Sequence, residues 1–403
     1  MKQLLRFLFL LCLSFPLGAQ VTVKYNNGLS TKTDSSLRVG AKRLEAYLPW
    51  LKDKRVAIVA NHTSLVGKTH LVDTLLALKV KVKKIFSPEH GFRGEADAGE
   101  KIKTNKDAKT GLPVVSLYGS HRKPTVKDLE GIDIVVFDLQ DVGVRFFTYI
   151  STMTYVMEAC AEQNKTLVVL DRPNPNGHYV DGPVLESKHK SFVGMHPVPI
   201  VHGMTVAEYA RMVNGEGWLK NNVRCDLKYV TVEGYTHADL YQLPVRPSPN
   251  LSTMAAVYLY PSVCLFEGTA ISVGRGTERP FQVIGHPKLT NGDFTFTPRS
   301  MPGSKNPPFK DTLCRGHDLG SFAVNYIRTY RNLYLFWLQG CYNDFPEKDK
   351  FFTSYFTLLA GTEQLRKQIE EGKSEEEIRK TWQPELKKFK EIRTRYLLYT
   401  DFN

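Results

Sequence analysis

The feature that most constrains the fold is a series of short apolar segments that alternate with helical segments in the first half of the chain. Five segments read as strands, at residues 55–60, 82–86, 113–117, 132–138 and 166–170. Two segments with apolar residues at helical spacing, near 69–78 and 150–163, are expected to be helices. Strands that are apolar on both sides are typical of a parallel sheet between two layers of helices. The sequence therefore predicts an α/β fold in which a parallel sheet carries helices on both faces.

The second half of the chain is built differently. It combines loop-rich stretches with strand-like segments within 263–273, and it ends in a helical stretch. Ser374 and Glu377 form the S-x-x-E capping-box pattern of a helix start. Hydrophobic residues make up 42% of the chain and charged residues 24%, which excludes a disordered chain. We expect a first, Rossmann-like domain at 37–225 and a smaller α+β domain at 226–403 that packs against it.

The N-terminal segment has the pattern of an export signal. Lys2 and Arg6 precede an apolar run at 8–13, and small residues at 17–19 suit a cleavage site. The run is too short to cross a bilayer, which takes about 20 apolar residues, and no later stretch is long and apolar enough. We therefore expect a signal peptide at 1–19, no integral membrane segment, and a protein that is periplasmic or secreted.

Charge and cysteine content limit the possible partners. The net charge is +13, and removal of the two basic residues of the export signal would lower it to +11. Such a surplus favours anionic partners. The basic residues lack interleaved aromatic side chains, so we expect no nucleic-acid partner. The five cysteines beyond the export signal are too few for a disulfide scaffold, and an odd number leaves at least one free thiol.

Polar and charged groups follow several of the predicted strands. They are Asn61 after the first strand, Glu89 and His90 after the second, Asp138 and Asp141 after the fourth, and Asp171, Arg172 and Asn174 after the fifth. In open parallel sheets, ligands bind beyond the carboxyl ends of the strands, so we expect an active-site cleft at this edge. A nucleotide site is not expected, because no G-x-G-x-x-G follows the first strand and no complete P-loop occurs.

Eight motifs with chemically active side chains stand in order along the chain. They are SPEHGFRG at 87–94, FDLQDVGVRFFTY at 137–149, DRPNPNG at 171–177, SFVG at 191–194, HGMT at 202–205, PSPN at 247–250, LFEGT at 265–269 and GRGT at 274–277. In this order they resemble the motifs of the exo-β-N-acetylmuramidase family, long catalogued as a domain of unknown function. The resemblance extends from about Leu37 to Tyr399. Phe147 and Ser262 depart from it, since the family often has tyrosine and glycine there.

The resemblance implies a Rossmann-like N-terminal domain that carries the active-site cleft, with a smaller domain against it. It also implies an exported glycoside hydrolase that releases N-acetylmuramic acid from the non-reducing ends of peptidoglycan-derived glycans, without a cofactor. Two other functions stay open: a glycosidase for another β-linked amino sugar, and a wall-glycan-binding protein without catalysis. The carboxylates in the motifs argue against a protein that only binds.

Glycoside hydrolysis commonly needs two carboxyl groups near the scissile bond. Glu89 is the candidate acid, and a salt bridge with Arg93 is its structural alternative. Asp138 or Asp141 is expected to be the second carboxylate. The structural alternatives are local backbone hydrogen bonds for Asp138 and an ion pair with Arg145 for Asp141. Rival candidates from the second domain are Glu267 and Glu278.

Muramic acid differs from glucosamine by a lactyl ether that carries a carboxylate, which a guanidinium can bind with two hydrogen bonds. Arg93, Arg145 or Arg275 is expected to bind it, with a structural salt bridge as the alternative for each. The other residues expected to bind substrate are Asn61, His90, Tyr149, Asp171, Arg172, Asn174, His202, Asn250 and Glu267. Capping or turn roles are the alternative for the asparagines. The acidic and histidine residues lack a signature such as H-E-x-x-H, so no metal is expected.

Overall fold

The computed structural model describes residues 31–92, 105–323 and 330–402. Its strands are β1 (Thr31–Lys32), β2 (Arg55–Ala60), β3 (Leu65–Val66), β4 (Thr69–His70), β5 (Lys81–Ser87), β6 (Asn105–Lys106), β7 (Pro113–Ser116), β8 (Ile134–Asp138), β9 (Thr166–Leu170), β10 (Asp226–Val230), β11 (Leu240–Tyr241), β12 (Val283–His286), β13 (Phe294–Phe296) and β14 (Cys314–Asp318). Its α-helices are α1 (Leu44–Leu51), α2 (Leu71–Ala77), α3 (Val126–Leu129), α4 (Tyr149–Glu162), α5 (Val206–Gly215), α6 (Met254–Val263), α7 (Gly320–Phe322), α8 (Phe336–Asp344), α9 (Ser354–Ala360), α10 (Gln364–Glu370) and α11 (Glu375–Thr394). Short 3₁₀ helices cover Gly40–Lys42, Ser187–His189, Lys220–Asn222, Cys264–Gly268 and Lys348–Lys350.

A seven-stranded sheet organises the first part of the chain, in the order β10-β9-β8-β2-β5-β7-β6. The first six strands are parallel, and the short strand β6 pairs antiparallel with β7 at the edge. Every residue of β8 is buried, as its continuous apolar run predicts. Helix α2 packs against β5, α4 against β9, and α5 against β9 and β10. The predicted α/β fold with a parallel sheet is confirmed.

The second part of the chain has mixed structure. Strands β12, β14 and β13 form a three-stranded antiparallel sheet, and helices make up most of the remainder. The start of α11 has the predicted capping box: the Ser374 hydroxyl accepts from the Glu377 N–H, and the Glu377 carboxylate accepts from the Ser374 N–H. A smaller domain with antiparallel strands and helices is therefore confirmed.

The strand-like interpretation of 263–273 is wrong for most of that segment. Residues Cys264–Gly268 form a 3₁₀ helix that continues from α6. The reason is that this segment is buried almost throughout, and a short buried run has no periodicity that separates helix from strand. Gly268 allows the 3₁₀ helix to pack against α9, because a Cβ there would lie 2.3 Å from the Cα of Phe356.

The two parts of the chain are connected by more than one linker segment. Strand β10 follows Cys225 directly and lies in the main sheet, so this sheet extends past the expected boundary after residue 225. The C-terminal segment returns to the first domain, where the Tyr399 hydroxyl donates to Asp171 at 2.5 Å and the Leu398 N–H donates to Glu208 at 2.8 Å. Within the described ranges, no helix is long and apolar enough to cross a membrane.

Candidate active site

A cleft of about 470 Å³ lies where the loops after the parallel strands meet the second domain. Its lining comprises Glu89, His90, Tyr118, Arg122, Phe146, Phe147, Thr148, Tyr149, Ser191, Phe192, Val193, Ser248, Asn250, Leu251, Tyr260, Cys264, Glu267, Arg275, Phe281, Tyr355, Leu358 and Leu359. Glu89 and Glu267 are the two carboxylates among these described residues. The structure therefore brings one predicted carboxylate from each domain to the same cavity.

Glu89 reaches the cleft from a tight turn after β5. The turn forms because His90 and Gly91 both adopt positive φ angles, of 69° and 75°, which reverses the chain directly after the strand. A left-handed conformation is uncommon for a residue with a Cβ and tends to occur at functional sites. The Thr148 hydroxyl donates a hydrogen bond to Oε2 of Glu89 at 3.1 Å. Glu89 is half-buried, and one of its oxygens is fixed by a neutral donor.

Tyr149 lies beside Glu89 at the start of α4 and is buried. Burial raises the pKa of the Tyr149 phenol, and the negative charge of Glu89 raises it further. Asn61 donates to the Tyr149 hydroxyl at 2.8 Å, while its own oxygen accepts from the N–H and hydroxyl of Thr63. Tyr149 is therefore a neutral hydroxyl in the cleft. Asn61, a predicted substrate contact, does not line the cleft and instead holds the Tyr149 hydroxyl in position.

Glu267 faces the cleft from the 3₁₀ helix of the second domain. Arg275 binds Oε1 of Glu267 through Nε at 2.8 Å and Nη2 at 2.7 Å. The Cys264 thiol donates to Oε2 at 3.4 Å. The predicted substrate-binding residues Glu267 and Arg275 thus both line the cavity, as one ion pair.

Tyr355 lies at the first turn of α9 and was not anticipated from the sequence. Partial burial raises the pKa of its phenol, and the negative charges of Glu267 and Glu89 add to this rise. Both cleft carboxylates thus act on one hydroxyl, which indicates that they face the same volume. No sequence signal could have found Tyr355, because it lies in none of the motifs and reaches the cleft only through the packing of α9 on the 3₁₀ helix.

Asp138 does not line the cleft, contrary to the prediction that it acts in the chemistry. Its carboxylate forms a two-pronged ion pair with Arg172, at 2.6 Å to Nε and 2.9 Å to Nη2. The exposed fractions of the two side chains are 0% and 2%. The ion pair lies within the sheet because Asp138 is still part of strand β8 and points to the interior. The same pairing removes Arg172 from the substrate contacts.

Asp141 is also buried away from the cleft lining. Its Oδ1 accepts from the Gly143 N–H at 2.6 Å, and its Oδ2 has no hydrogen-bond partner among the described residues. Burial raises the pKa of Asp141 to about 7. The alternative of an ion pair with Arg145 is wrong as well, since that guanidinium has other partners.

Arg145 is buried and binds only backbone carbonyls, those of Pro183, Val198, Leu359 and Ala360, each at 2.8 Å. Burial lowers the pKa of the Arg145 guanidinium to about 9. Two of these carbonyls belong to the end of α9, so Arg145 ties the second domain to the first. With both terminal nitrogens occupied, the prediction that Arg145 binds the lactyl carboxylate is corrected to a structural role.

Three further predicted contacts lie under the returning C-terminal segment and α5. Asp171 accepts from Tyr399 and from the Ala207 N–H, and burial raises its pKa to about 6. Asn174 donates to the Met204 carbonyl. His202 accepts from the Met204 N–H, and burial lowers its pKa to about 3. Asp171 and Asn174 follow β9 as expected, but neither they nor His202 line the cleft.

The remaining predicted residues divide as follows. Asn250 and His90 line the cleft, and the Asn250 amide also donates to the Gly303 carbonyl at 2.9 Å. Glu278 is exposed and outside the lining. Arg93 lies outside the described residues. Over the described ranges, no group of three histidine, cysteine, aspartate or glutamate side chains is arranged to hold a metal ion, and all five cysteines are buried and unbridged.

An aromatic cluster borders the cleft beside β7. Phe192 stacks on Tyr155 with ring centroids 6.2 Å apart, and Tyr118 lies 6.4 Å from it at a tilt. The guanidinium carbon of Arg122 lies 4.4 Å from the Phe192 centroid. The motif at 191–194 marked this region in the sequence, whereas Arg122 lies in no motif.

Comparisons with known proteins agree with this architecture. The family model for "Exo-beta-N-acetylmuramidase NamZ, N-terminal" matches residues 56–255, and the corresponding C-terminal model matches 258–399. A Bacillus subtilis (strain 168) protein, peptidoglycan beta-N-acetylmuramidase NamZ, is 39% identical over 388 residues, covering 88% of this chain and 89% of the relative. Two crystal structures of DUF1343 family proteins from Bacteroides fragilis NCTC 9343 have TM-scores of 0.85 and 0.77, at 49% and 29% identity. Each covers 91% of this chain and 99% of its own.

Proposed function

Since the chain belongs to the exo-β-N-acetylmuramidase NamZ family, we infer that it is a glycoside hydrolase that releases N-acetylmuramic acid from the non-reducing ends of peptidoglycan-derived glycans. The observation that carries this inference is the cleft between the two domains. It holds one carboxylate from each family-matched half of the chain, Glu89 and Glu267, among aromatic and hydroxyl side chains suited to a sugar. Two carboxyl groups beside one sugar-sized cavity are the usual requirement of glycoside hydrolysis.

Glu89 is the general acid of the proposed reaction. It donates a proton to the glycosidic oxygen as the bond to the anomeric carbon breaks. Glu89 is half-buried at the cleft, and the Thr148 hydroxyl holds one of its carboxylate oxygens in place. Tyr149 is a second neutral hydroxyl on the same side of the cleft. A positioned acid of this kind typically contributes about 10²–10⁴-fold to the rate.

Glu267 takes the place of Asp138 and Asp141 as the second carboxylate. Its ion pair with Arg275 holds it in position at the cleft wall. From there its negative charge stabilises the positive charge that develops at the anomeric carbon when the leaving group departs. The cysteine and arginine that bind it fix its orientation before substrate arrives.

The test of Glu89 compares two leaving groups. With the disaccharide of N-acetylmuramic acid linked β-1,4 to N-acetylglucosamine, Glu89→Gln should lower kcat by about 10²–10⁴-fold, because the amide cannot deliver a proton. With 4-nitrophenyl β-N-acetylmuraminide the loss should be smaller, since nitrophenolate leaves without protonation. The control is Glu278→Gln, an exposed position outside the cleft. Equal losses on both substrates, or near-full activity on the disaccharide, would rule out Glu89 as the acid.

The same reagents separate the other functions. Turnover of 4-nitrophenyl β-N-acetylglucosaminide in preference to the muraminide would indicate a glycosidase for another amino sugar. Binding of either sugar without turnover would indicate a wall-glycan-binding protein.

Export from the cytoplasm is part of the proposal. It is supported by the basic and apolar pattern of residues 1–19, which lie outside the described residues. Cell fractionation with mass spectrometry of the N-terminus should find a mature chain that begins at Gln20 outside the cytoplasm. Recovery of the chain in the cytosol with residues 1–19 intact would contradict it.

A further inference from the structure

We propose that Arg122 is the residue that distinguishes muramic acid from glucosamine, by binding the lactyl carboxylate. This rests on the proposed function. Arg122 lines the cleft, and its side chain is exposed. A guanidinium is planar and always charged, and it can donate two parallel hydrogen bonds to one carboxylate.

The other arginine of the cleft lining, Arg275, and the nearby Arg145 are already occupied. Arg145 donates to four backbone carbonyls, and Arg275 holds Glu267. Arg122 has no ion pair or hydrogen bond within the described ranges, and its recorded contact is the face of Phe192. It is therefore the cleft guanidinium whose N–H groups remain for a ligand.

The stacking on Phe192 prepares Arg122 for this contact. The guanidinium carbon lies over the ring, 4.4 Å from its centroid, so an aromatic face supports the group on one side. Phe192 is itself held by the stacked ring of Tyr155. A supported guanidinium loses less conformational freedom on binding, and stacking leaves the N–H edge available to an acceptor.

The charges beside Arg122 do not compete with it. His121 lies 3.0 Å from Asp128, and Lys123 is paired with Glu158 and Glu162. Both sequence neighbours of Arg122 are thus matched to acidic groups. An anionic ligand in the cleft would meet Arg122 before either of them.

The test measures binding, so that it does not depend on turnover. Calorimetry should give the Kd of N-acetylmuramic acid, of its lactyl methyl ester and of N-acetylglucosamine for the wild-type protein and for Arg122→Met. The wild type should bind the free acid about 10–100-fold more tightly than the ester, which is the range of a charge-assisted bidentate contact. Arg122→Met should remove this difference and leave the Kd of the ester unchanged. Arg122→Lys should keep part of it, because an ammonium retains the charge but not the fork.

The matched control is Lys127→Met, which removes one positive charge from α3 at an exposed position outside the cleft. It should keep the preference for the free acid, and an equal effect of both substitutions would mean that only the general positive field matters.

A wild type that binds acid and ester equally, or an Arg122→Met variant that keeps the preference, would overturn the proposal. Preserved selectivity of binding without any turnover would instead overturn the proposed hydrolysis and leave Arg122 in place. Tight binding of a peptide carboxylate in place of the lactyl group would assign Arg122 to the stem peptide and contradict the proposal.

Discussion

Replacing Arg145 with methionine should destabilise the protein without touching a group that meets the substrate. The guanidinium donates to four buried carbonyls from three segments, and methionine would leave all four without a donor. Hydrogen bonds from a charged donor contribute about 1.5–3 kcal/mol each, so four of them sum to about 6 kcal/mol or more. Part of this loss is offset, because methionine also removes a buried charge whose desolvation costs several kcal/mol. We expect a net loss of about 3–5 kcal/mol in the free energy of unfolding.

Urea unfolding followed by circular dichroism measures this loss directly. Arg145→Lys should fall between the wild type and Arg145→Met, because an ammonium has three donors for four acceptors. The control is Arg299→Met, an exposed arginine paired with an exposed aspartate, where we expect less than about 1 kcal/mol. If Arg145→Met unfolded at the same urea concentration as Arg299→Met, the carbonyl contacts would not hold the two domains together as described.

Two buried carboxylates give further predictions. Asp138→Asn should lower the free energy of unfolding by about 3–5 kcal/mol, because Arg172 would stay buried without its charge partner. If this variant kept its stability in urea but lost activity, Asp138 would have a catalytic role. Asp141 has its pKa raised by burial from 3.8 to about 7, so the folded state keeps a proton that the unfolded state releases above about pH 4. The free energy of unfolding should therefore decrease from about pH 4 to pH 7. Urea unfolding at both pH values should show a smaller decrease for Asp141→Asn than for the wild type. An equal decrease in the two proteins would contradict this role of Asp141.

The sequence predicted the parallel sheet because its strands are buried on both faces and so carry long apolar runs. It also placed Glu89 correctly at the strand edge, since a proline and a glycine mark the turn after β5. It could not separate Asp138 from Glu89, because one still belongs to its strand and points inward, whereas the other lies two residues beyond its strand. That distinction depends on the residue at which the backbone pairing of each strand with its neighbours ends.

Arginine roles were the least predictable part of the site. An arginine that binds carbonyls at residues 183, 198, 359 and 360 has no sequence signature, since its partners are distant backbone groups. The reverse holds for Arg122, which stands outside every motif and reaches the cleft through its contact with Phe192. Charge and motif membership thus indicate that a guanidinium is present, but only the packing decides which one is available to a ligand.

The returning C-terminal segment has a consequence for how the protein is made. Tyr399 and Leu398 supply hydrogen bonds to Asp171 and Glu208, two carboxylates at the core of the first domain. Because translation proceeds from the amino end, the residues of the first domain are synthesised before these partners exist. Domains that form early on the ribosome usually complete their own cores. The first domain therefore reaches its final packing only after Tyr399 has been synthesised, so a chain that stops before Tyr399 would damage the half that was translated first.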